Sequence, residues 1–320
     1  MLRVLFMNVS KIKELHIVPT YKCNSRCLHC LNHIRKDEVN LDLSMLDSFF
    51  SKNKFCDLDT VVLTGGQIDL HPNIIDLCEI IGSRVPAATV VFTANYIDIG
   101  ETASLIEKVR AKISSSNLLY VSLPLEGPPY LHKQIRGVDS SLPKLVEHLR
   151  SMALHNSMLG TSFTITPFNY HALYWAYAFS KANSLDFWAS PYSKSYFYNN
   201  LGQRAQFKAL DKHHLKLQID KILFDLSQER DETKHIYFSG LRQFMCSNEP
   251  FPMPTCHAGE EFVVIDSQGN LKPCILIDKI IGTIDTDCPI VSPDEIRKQY
   301  NCSCWTVCHA YKMAKEHRDG

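Results

Sequence analysis

The residues best suited to chemistry are three cysteines near the start of the chain. Cys23, Cys27 and Cys30 lie within eight residues, in the run Tyr-Lys-Cys-Asn-Ser-Arg-Cys-Leu-His-Cys. Soft thiolate ligands select iron–sulfur and zinc centres. A cubane of four irons needs four ligands and this loop supplies three, so one iron would be open to a small molecule. A zinc site and chance clustering are the alternatives. Zinc loops, however, usually carry C-x2-C pairs and close with a fourth ligand.

The C-x3-C-x2-C spacing resembles that of the radical S-adenosylmethionine (SAM) superfamily, in which SAM chelates the open iron of a [4Fe–4S] cluster. The resemblance implies that these cysteines hold such a cluster and that SAM is the second cofactor. It further implies an electron donor, such as flavodoxin or ferredoxin. The chemistry of SAM cleavage to a 5′-deoxyadenosyl radical and hydrogen abstraction would belong to the cofactor, while the protein positions and shields it.

A glycine motif, Thr64-Gly-Gly-Gln67, follows the second predicted strand. Two glycines let the backbone bend sharply and approach a ligand closely. In the radical SAM superfamily this place holds a Gly-Gly-Glu motif that binds the SAM amino group. The resemblance therefore implies cofactor binding by Gly65, Gly66 and Gln67, without the charge assistance that a carboxylate would add. A plain turn between strand and loop is the alternative.

Polar residues near the ends of later strands resemble further SAM contacts of the superfamily. Ser122 lies near the end of a predicted strand, and Arg136-Gly137 follows after a proline-rich bend that is longer than usual. For each of these residues the alternative is a polar surface residue at a strand end. The further expected cofactor contacts are Thr93, Asn95, Ser122, Arg136 and Asn169.

Cysteines also crowd the last 75 residues. The segment from Cys256 to Cys274 is typical of a β-hairpin with its turn at 266–270, and a C-x-C-x3-C group follows. This arrangement resembles the SPASM/twitch modules of radical SAM enzymes, which implies an auxiliary [4Fe–4S] cluster. A structural zinc site is the alternative. The expected ligands are Cys256, Cys274, Cys304 and Cys308, with Cys302 as the substitute.

Cys246 lies outside both expected ligand sets, ten residues before Cys256. A lone cysteine is more often a small buried hydrophobe than a reagent. In radical SAM epimerases a thiol donates a hydrogen atom to the substrate radical, and by that resemblance Cys246 is the candidate catalytic residue.

Strand-like runs alternate with amphipathic windows through the first two thirds of the chain. This alternation predicts a parallel sheet with right-handed crossovers, with too few units for a closed eight-stranded barrel. It matches the α/β partial (β/α)6 TIM-like barrel of radical SAM enzymes. Ser44 and Asn73 suit N-caps and Gly160 a C-cap. The predicted strands are 14–18, 60–64, 89–93, 118–123, 161–166 and 185–189; the predicted helices are 44–50, 73–81, 101–113, 142–154, 171–182 and 208–227.

The alternation stops after about residue 235, which predicts a barrel at 1–235 and a small cysteine-rich iron–sulfur module at 236–320. A metal cluster would supply the stability that so small a piece lacks. An aromatic stretch after the last predicted strand would line a pocket or pack under the module. It comprises Trp188, Tyr192, Tyr196, Phe197 and Tyr198.

The composition is that of an ordinary globular enzyme. Apolar residues make up 45% of the chain, and 34 basic residues balance 34 acidic ones, so there is no basic surface for nucleic acid. No run of 18 apolar residues and no secretory signal are present, which argues against a membrane segment. Twelve cysteines without a signal predict thiolate chemistry in the reducing cytoplasm.

The motifs leave the reaction after hydrogen abstraction open. The expectation is modification of a C–H bond of a peptide or natural product by epimerisation, crosslinking or oxidation. The alternatives within the superfamily are a sugar or cyclitol dehydrogenase or epimerase, and a nucleotide rearrangement. The alternative from another class is a non-catalytic iron–sulfur or zinc protein that acts as a carrier or regulator.

Overall fold

The computed structural model describes residues 9–36, 39–139, 141–202, 210–247, 256–285, 299–300, 304–307, 310 and 314–315. Within these ranges, nine strands form one sheet in the order β6-β5-β4-β3-β2-β1-β7-β8-β9. The strands are β1 Glu14–Ile17, β2 Thr60–Leu63, β3 Thr89–Thr93, β4 Leu119–Pro124, β5 Ser157–Ile165, β6 Asp186–Pro191, β7 Phe262–Ile265, β8 Asn270–Lys272 and β9 Gly282–Thr283.

Helices alternate with the first six strands, as the sequence predicts. Those strands pair in parallel, each with the next along the chain, so the α/β partial-barrel class is confirmed. The α-helices of the described residues are α1 Leu43–Lys52, α2 Ile74–Arg84, α3 Ile99–Lys112, α4 Pro129–Arg136, α5 Leu142–Ser151, α6 Leu173–Ala182, α7 Lys212–Glu229 and α8 Glu232–Cys246. In this part of the chain, none of the helices has the length and apolar character needed to cross a membrane.

The two faces of the sheet differ in side-chain chemistry. Side chains such as Val61 and Phe92 are buried against the helices. Their neighbours along each strand point to the opposite face, because side chains alternate along a strand. That face is the concave inside of the partial barrel, where Thr93, Ser122 and Ser162 are only half-buried. Polar residues therefore line the space that the barrel encloses.

The C-terminal hairpin continues the barrel sheet. Strand β7 pairs in parallel with β1, with Glu14 opposite Phe262, and β8 returns antiparallel to β7. The boundary predicted at residue 235 falls inside α8, which Asp231 caps by accepting a hydrogen bond from the Lys234 backbone N–H. The predicted hairpin is thus present but is joined to the barrel strands, and the division into two domains stays a prediction.

Three predictions about helix ends have mixed outcomes. Asp42, and not Ser44, caps α1, and its carboxylate accepts from the Ser44 backbone N–H at 2.8 Å. Asn73 occupies the N-cap position of α2 without a side-chain bond. Gly160 does not end α5 but lies within β5. A glycine is needed there because a Cβ would be 1.8 Å from the Tyr120 hydroxyl.

A candidate site at the carboxyl ends of the strands

The three N-terminal cysteines lie in one loop directly after β1, at the carboxyl end of that strand. Burial raises the pKa of the Cys30 thiol to about 12, and the nearby thiols of Cys27 and Cys23 add to the rise. Burial likewise raises the pKa of Cys27 and of Cys23, while the Arg136 guanidinium opposes the rise in both. The thiols thus lie within electrostatic range of one another and of one cation.

The glycine motif hydrogen-bonds to the chain just before Cys23. The Gln67 backbone N–H donates to the Lys22 carbonyl at 2.7 Å, and the Gly66 N–H donates to the Thr20 carbonyl at 3.0 Å. A Cβ on Gly66 would lie 2.2 Å from the Lys22 carbonyl oxygen, and Gly65 has a φ of +135°. The two glycines are therefore required by the close approach of this turn to the cysteine loop.

The end of α4 forms backbone hydrogen bonds with the chain on both sides of Cys27. The backbone N–H groups of Arg26 and Leu28 donate to the carbonyls of Arg136 and Ile135, each at 2.9 Å. Gly137 then ends the helix in the left-handed region, with a φ of +68°, and a Cβ there would be 2.7 Å from the Arg26 Cβ. The sequence analysis missed α4, an eight-residue helix that begins at Pro129, the second of two adjacent prolines.

Three of the predicted cofactor contacts form one hydrogen-bonded chain beside Cys23. Arg136 donates to the Asn95 amide oxygen. The Asn95 amide nitrogen lies 3.4 Å from the Gln67 side-chain oxygen and 4.0 Å from the Cys23 sulfur. The Gln67 amide nitrogen donates to Asp69 at 2.9 Å. The segments that follow β2, β3 and β4 thus bring these three predicted contacts together.

Arg136 keeps one donor unused. Its side chain is 8% exposed, and its Nε has no hydrogen-bond partner among the described residues. An unpaired buried donor costs free energy, and a charged one costs more. An anionic group bound beside Cys23 would satisfy it.

Glu126 belongs to this site and was not predicted. It is 1% exposed, and one of its carboxylate oxygens lies 3.9 Å from an Arg136 nitrogen. Its other oxygen accepts from the Asn169 amide at 3.1 Å and from the Thr164 backbone N–H at 3.3 Å. Burial raises the pKa of Glu126 to about 7, although Arg136 opposes the rise. The Glu126-Gly127 pair directly after a predicted strand is the signal that could have identified it.

The remaining predicted contacts, Asn169, Thr93 and Ser122, differ in how far their hydrogen-bonding groups are already used within the protein. Asn169 is fully buried; its oxygen accepts from Thr166, and its amide donates to Glu126 and to the Thr164 carbonyl. These bonds favour a role in holding Glu126. Thr93 and Ser122 are paired neighbours on β3 and β4, on the concave face. Contact of any of them with a cofactor stays a prediction.

A second group of cysteines lies around the β7–β8 hairpin. Burial raises the pKa of Cys274 to about 12, and the thiols of Cys304 and Cys256 add to the rise. The Leu276 backbone N–H donates to the Cys274 sulfur at 3.1 Å. Two further predicted ligands, Cys302 and Cys308, lie outside the described residues. Among the residues described, no three His, Cys, Asp or Glu side chains are placed to share one metal ion.

Cys246 is the last residue of α8 and is half-buried against the hydrophobic core. Burial raises the pKa of its thiol, and the charges that act on it come from Arg242, Lys212, Asp220 and Lys216, on α8 and α7. None of these groups belongs to the cysteine loop. The position favours a packing role, and hydrogen-atom donation by Cys246 stays a prediction.

Known proteins are similar to this chain in one family and one fold. Residues 17–170 match the model of the Radical SAM superfamily. Streptococcus suis SuiB bound to S-adenosylmethionine has a TM-score of 0.60 and 17% identity, over 86% of this chain and 64% of that one. SuiB bound to precursor peptide SuiA has a TM-score of 0.62 and 16% identity, over 86% of this chain and 63% of that one. The anSMEcpe structure with AdoMet and Cp18Cys peptide has a TM-score of 0.58 and 15% identity, over 85% of this chain and 78% of that one.

No curated protein matches the chain in sequence. The chain spans less than two thirds of the length of the SuiB structures. At these identities the structural likeness concerns the fold. The similarity to the superfamily model is confined to residues 17–170, and the partial-barrel fold is shared with these solved structures.

Proposed function

We propose that the protein is an enzyme that reductively cleaves SAM and abstracts hydrogen from a C–H bond of a peptide or natural-product substrate. The observation that carries the proposal is the cysteine loop. Three thiols that affect one another's pKa are held beside the cradle of Gly65 and Gly66 and the unpaired donor of Arg136.

The residues present fit a [4Fe–4S] cluster with one open iron and SAM bound to it. The loop offers three thiols and no fourth cysteine. The Nε of Arg136 would pair with the SAM carboxylate, while the backbone of the glycine turn and the oxygen of Gln67 would accept from its ammonium group. When bound, the cluster and SAM would supply the electron transfer and the radical chemistry.

The protein's own part is to position the cofactor and enclose the reaction. Glu126 and Asn95 fix the Arg136 guanidinium from two sides. The concave face offers Thr93 and Ser122 as hydroxyl contacts to the ribose. Cys256, Cys274, Cys304 and Cys308, with Cys302 as the substitute, would hold an auxiliary [4Fe–4S] cluster. A flavodoxin or ferredoxin of the cytoplasm would supply the electron.

The peptide substrate is supported by the two structural neighbours that were solved with peptides bound, SuiB with SuiA and anSMEcpe with Cp18Cys. The concave face supports a second candidate, a sugar or cyclitol. Its side chains are rich in hydroxyl groups, which hydrogen-bond to uncharged polar substrates. They include Thr93, Ser122, Ser162, Thr164 and Ser190.

The test is SAM cleavage by protein that has been reconstituted with iron and sulfide without oxygen and then reduced with dithionite. We expect 5′-deoxyadenosine from the wild type and none from a variant with Cys23, Cys27 and Cys30 changed to alanine. Iron uptake without 5′-deoxyadenosine would favour the carrier class. Stoichiometric zinc in place of iron would contradict the proposal.

A further inference from the structure

A segment that follows β6 holds the third cysteine of the loop. We call residues 195–200 the strap; it leads from β6, at one end of the six parallel strands, to the loop after β1, at the other end. The Tyr198 carbonyl accepts from the Leu31 backbone N–H at 2.9 Å. Asn199 donates its amide to the Leu31 carbonyl at 2.9 Å, and Asn200 donates to the His29 carbonyl at 2.9 Å. These bonds lie on both sides of Cys30.

The strap is itself a closed turn. The Asn200 side-chain oxygen accepts from the Ser195 backbone N–H at 2.8 Å, and its amide nitrogen also reaches the Ser193 carbonyl at 3.1 Å. Asn200 and Ser195 are both fully buried. Asn199 has a φ of +53°, a left-handed conformation that asparagine adopts more readily than most residues. The two amides are therefore presented to the loop by a fixed backbone.

A stack of cations and rings attaches the strap to its surroundings. The Arg35 guanidinium lies 3.8 Å from the centre of the Tyr21 ring and 4.2 Å from that of Tyr196, and it donates to the Tyr196 carbonyl at 3.1 Å. The Lys272 ammonium of β8 lies 4.1 Å from the Tyr196 ring centre. Arg35 and Lys272 are each less than a tenth exposed, so these contacts are shielded from water.

We propose that Asn199 and Asn200 are positioning residues that hold the backbone around Cys30 in place for the cluster. The proposal rests on the proposed function in one respect, that this loop binds a cluster. The two amides are side-chain donors to carbonyls that flank a single cysteine. Removing the Asn200 amide takes away the hydrogen bond to the His29 carbonyl and favours loop conformations that turn that carbonyl to water. Removing the Asn199 amide has a smaller effect, because the Leu31 carbonyl still accepts from the Ile34 backbone N–H at 3.2 Å.

Two variants remove the donors with little change in shape. Asn200→Asp keeps the oxygen that accepts from Ser195 and replaces the amide nitrogen by an oxygen that repels the His29 carbonyl. Asn199→Gly removes the other donor and tolerates the left-handed φ. The matched control is Asn183→Asp, which removes an amide donor to the Phe179 carbonyl at the end of α6, away from the loop.

The test uses the full-length protein without iron. N-ethylmaleimide labelling is followed by site-resolved mass spectrometry. We expect Cys30 to be labelled about tenfold faster in Asn200→Asp than in wild type, because one lost hydrogen bond to a buried carbonyl shifts local opening by about that factor. Asn199→Gly should raise the rate less, because the Leu31 carbonyl keeps its bond from Ile34. Cys27, which α4 holds, and the core thiol Cys78 should keep their rates, and Asn183→Asp should match wild type.

An unchanged Cys30 rate in both variants overturns the proposal. So does a parallel rise at Cys30, Cys27 and Cys78, which reports general unfolding. Iron chelation from reconstituted protein gives a second reading, in which Asn200→Asp should lose iron from the N-terminal site about tenfold faster than wild type and Asn199→Gly should show a smaller increase. Should wild type take up no iron, the proposed function fails while the labelling result still decides whether the strap holds Cys30.

Discussion

The chain buries two groups of cysteines and holds them in different ways. In both, burial is the main cause of the raised thiol pKa. The N-terminal loop is gripped from three strands: by the turn after β2, by α4 after β4 and by the strap after β6. At the C-terminal group, Cys274 follows β8, and the hairpin joins the barrel through β7. The first group is therefore held by segments from across the barrel, whereas the hairpin that carries Cys274 is held at one edge of the sheet and, through Lys272, against the strap.

The largest expected effect separates the two groups by their iron. Wild type should take up about eight irons, and changing Cys23, Cys27 and Cys30 to alanine should leave about four. That variant should also form no 5′-deoxyadenosine, because SAM would have no iron to bind. Iron analysis and chromatography of the nucleoside products measure both. Eight irons in the triple variant would show that these cysteines are not ligands.

The comparison also shows what a sequence can predict. Both cysteine groups and all six barrel strands follow from local patterns, and 89–93 matches β3 at both ends. The hydrogen bonds that hold the N-terminal loop cannot be predicted in this way, because partners such as Asn200 and His29 are 171 positions apart in the chain. The mistaken role of Gly160 has the same cause, since the space it leaves is filled by Tyr120 of another strand. Pairings of this kind require the fold before they can be seen.

The next effect tests the grip on the first group at its tightest point. Gly66→Ala would place a Cβ 2.2 Å from the Lys22 carbonyl oxygen, so the turn or the loop must move. Overpacking of this kind costs about 1–3 kcal/mol. We expect loss of SAM cleavage and a lower melting temperature, read by calorimetry. Gly202→Ala is the control, because nothing lies within 4 Å of its added Cβ. Equal activity in both variants would separate the turn from the site.

A change at the second group should spare the first. Cys274→Ala should remove about four irons and leave 5′-deoxyadenosine formation in place, because the N-terminal loop keeps all of its contacts. Metal analysis of the wild type distinguishes an iron–sulfur cluster from zinc at this group. Loss of both iron sets in Cys274→Ala would mean that the two groups are coupled, with the contact of Lys272 on the Tyr196 ring as the direct route between them.

Glu126 provides a smaller effect that depends on pH. Its pKa rises from an ordinary 4.5 to about 7 on folding, so the folded protein holds a proton that the unfolded chain has lost. Stability from this group is therefore lost as pH rises from about 4.5 to about 7. Glu126→Gln should flatten the pH dependence of the melting temperature in that window and gain most relative to wild type above it. Glu79→Gln, at an exposed pair with Lys112, is the control.

The smallest effect is expected at Cys246, which belongs to neither group. Its thiol is half-buried against the core, and the charges that act on it come from α7 and α8. Cys246→Ala should keep both iron sets and SAM cleavage, and the loss of a half-buried thiol should lower the melting temperature only slightly. A hydrogen-atom donor would behave differently. Once a substrate is known, turnover in D2O would place solvent deuterium in the wild-type product, and Cys246→Ala would stall after abstraction. Such a result would identify Cys246 as the hydrogen-atom donor.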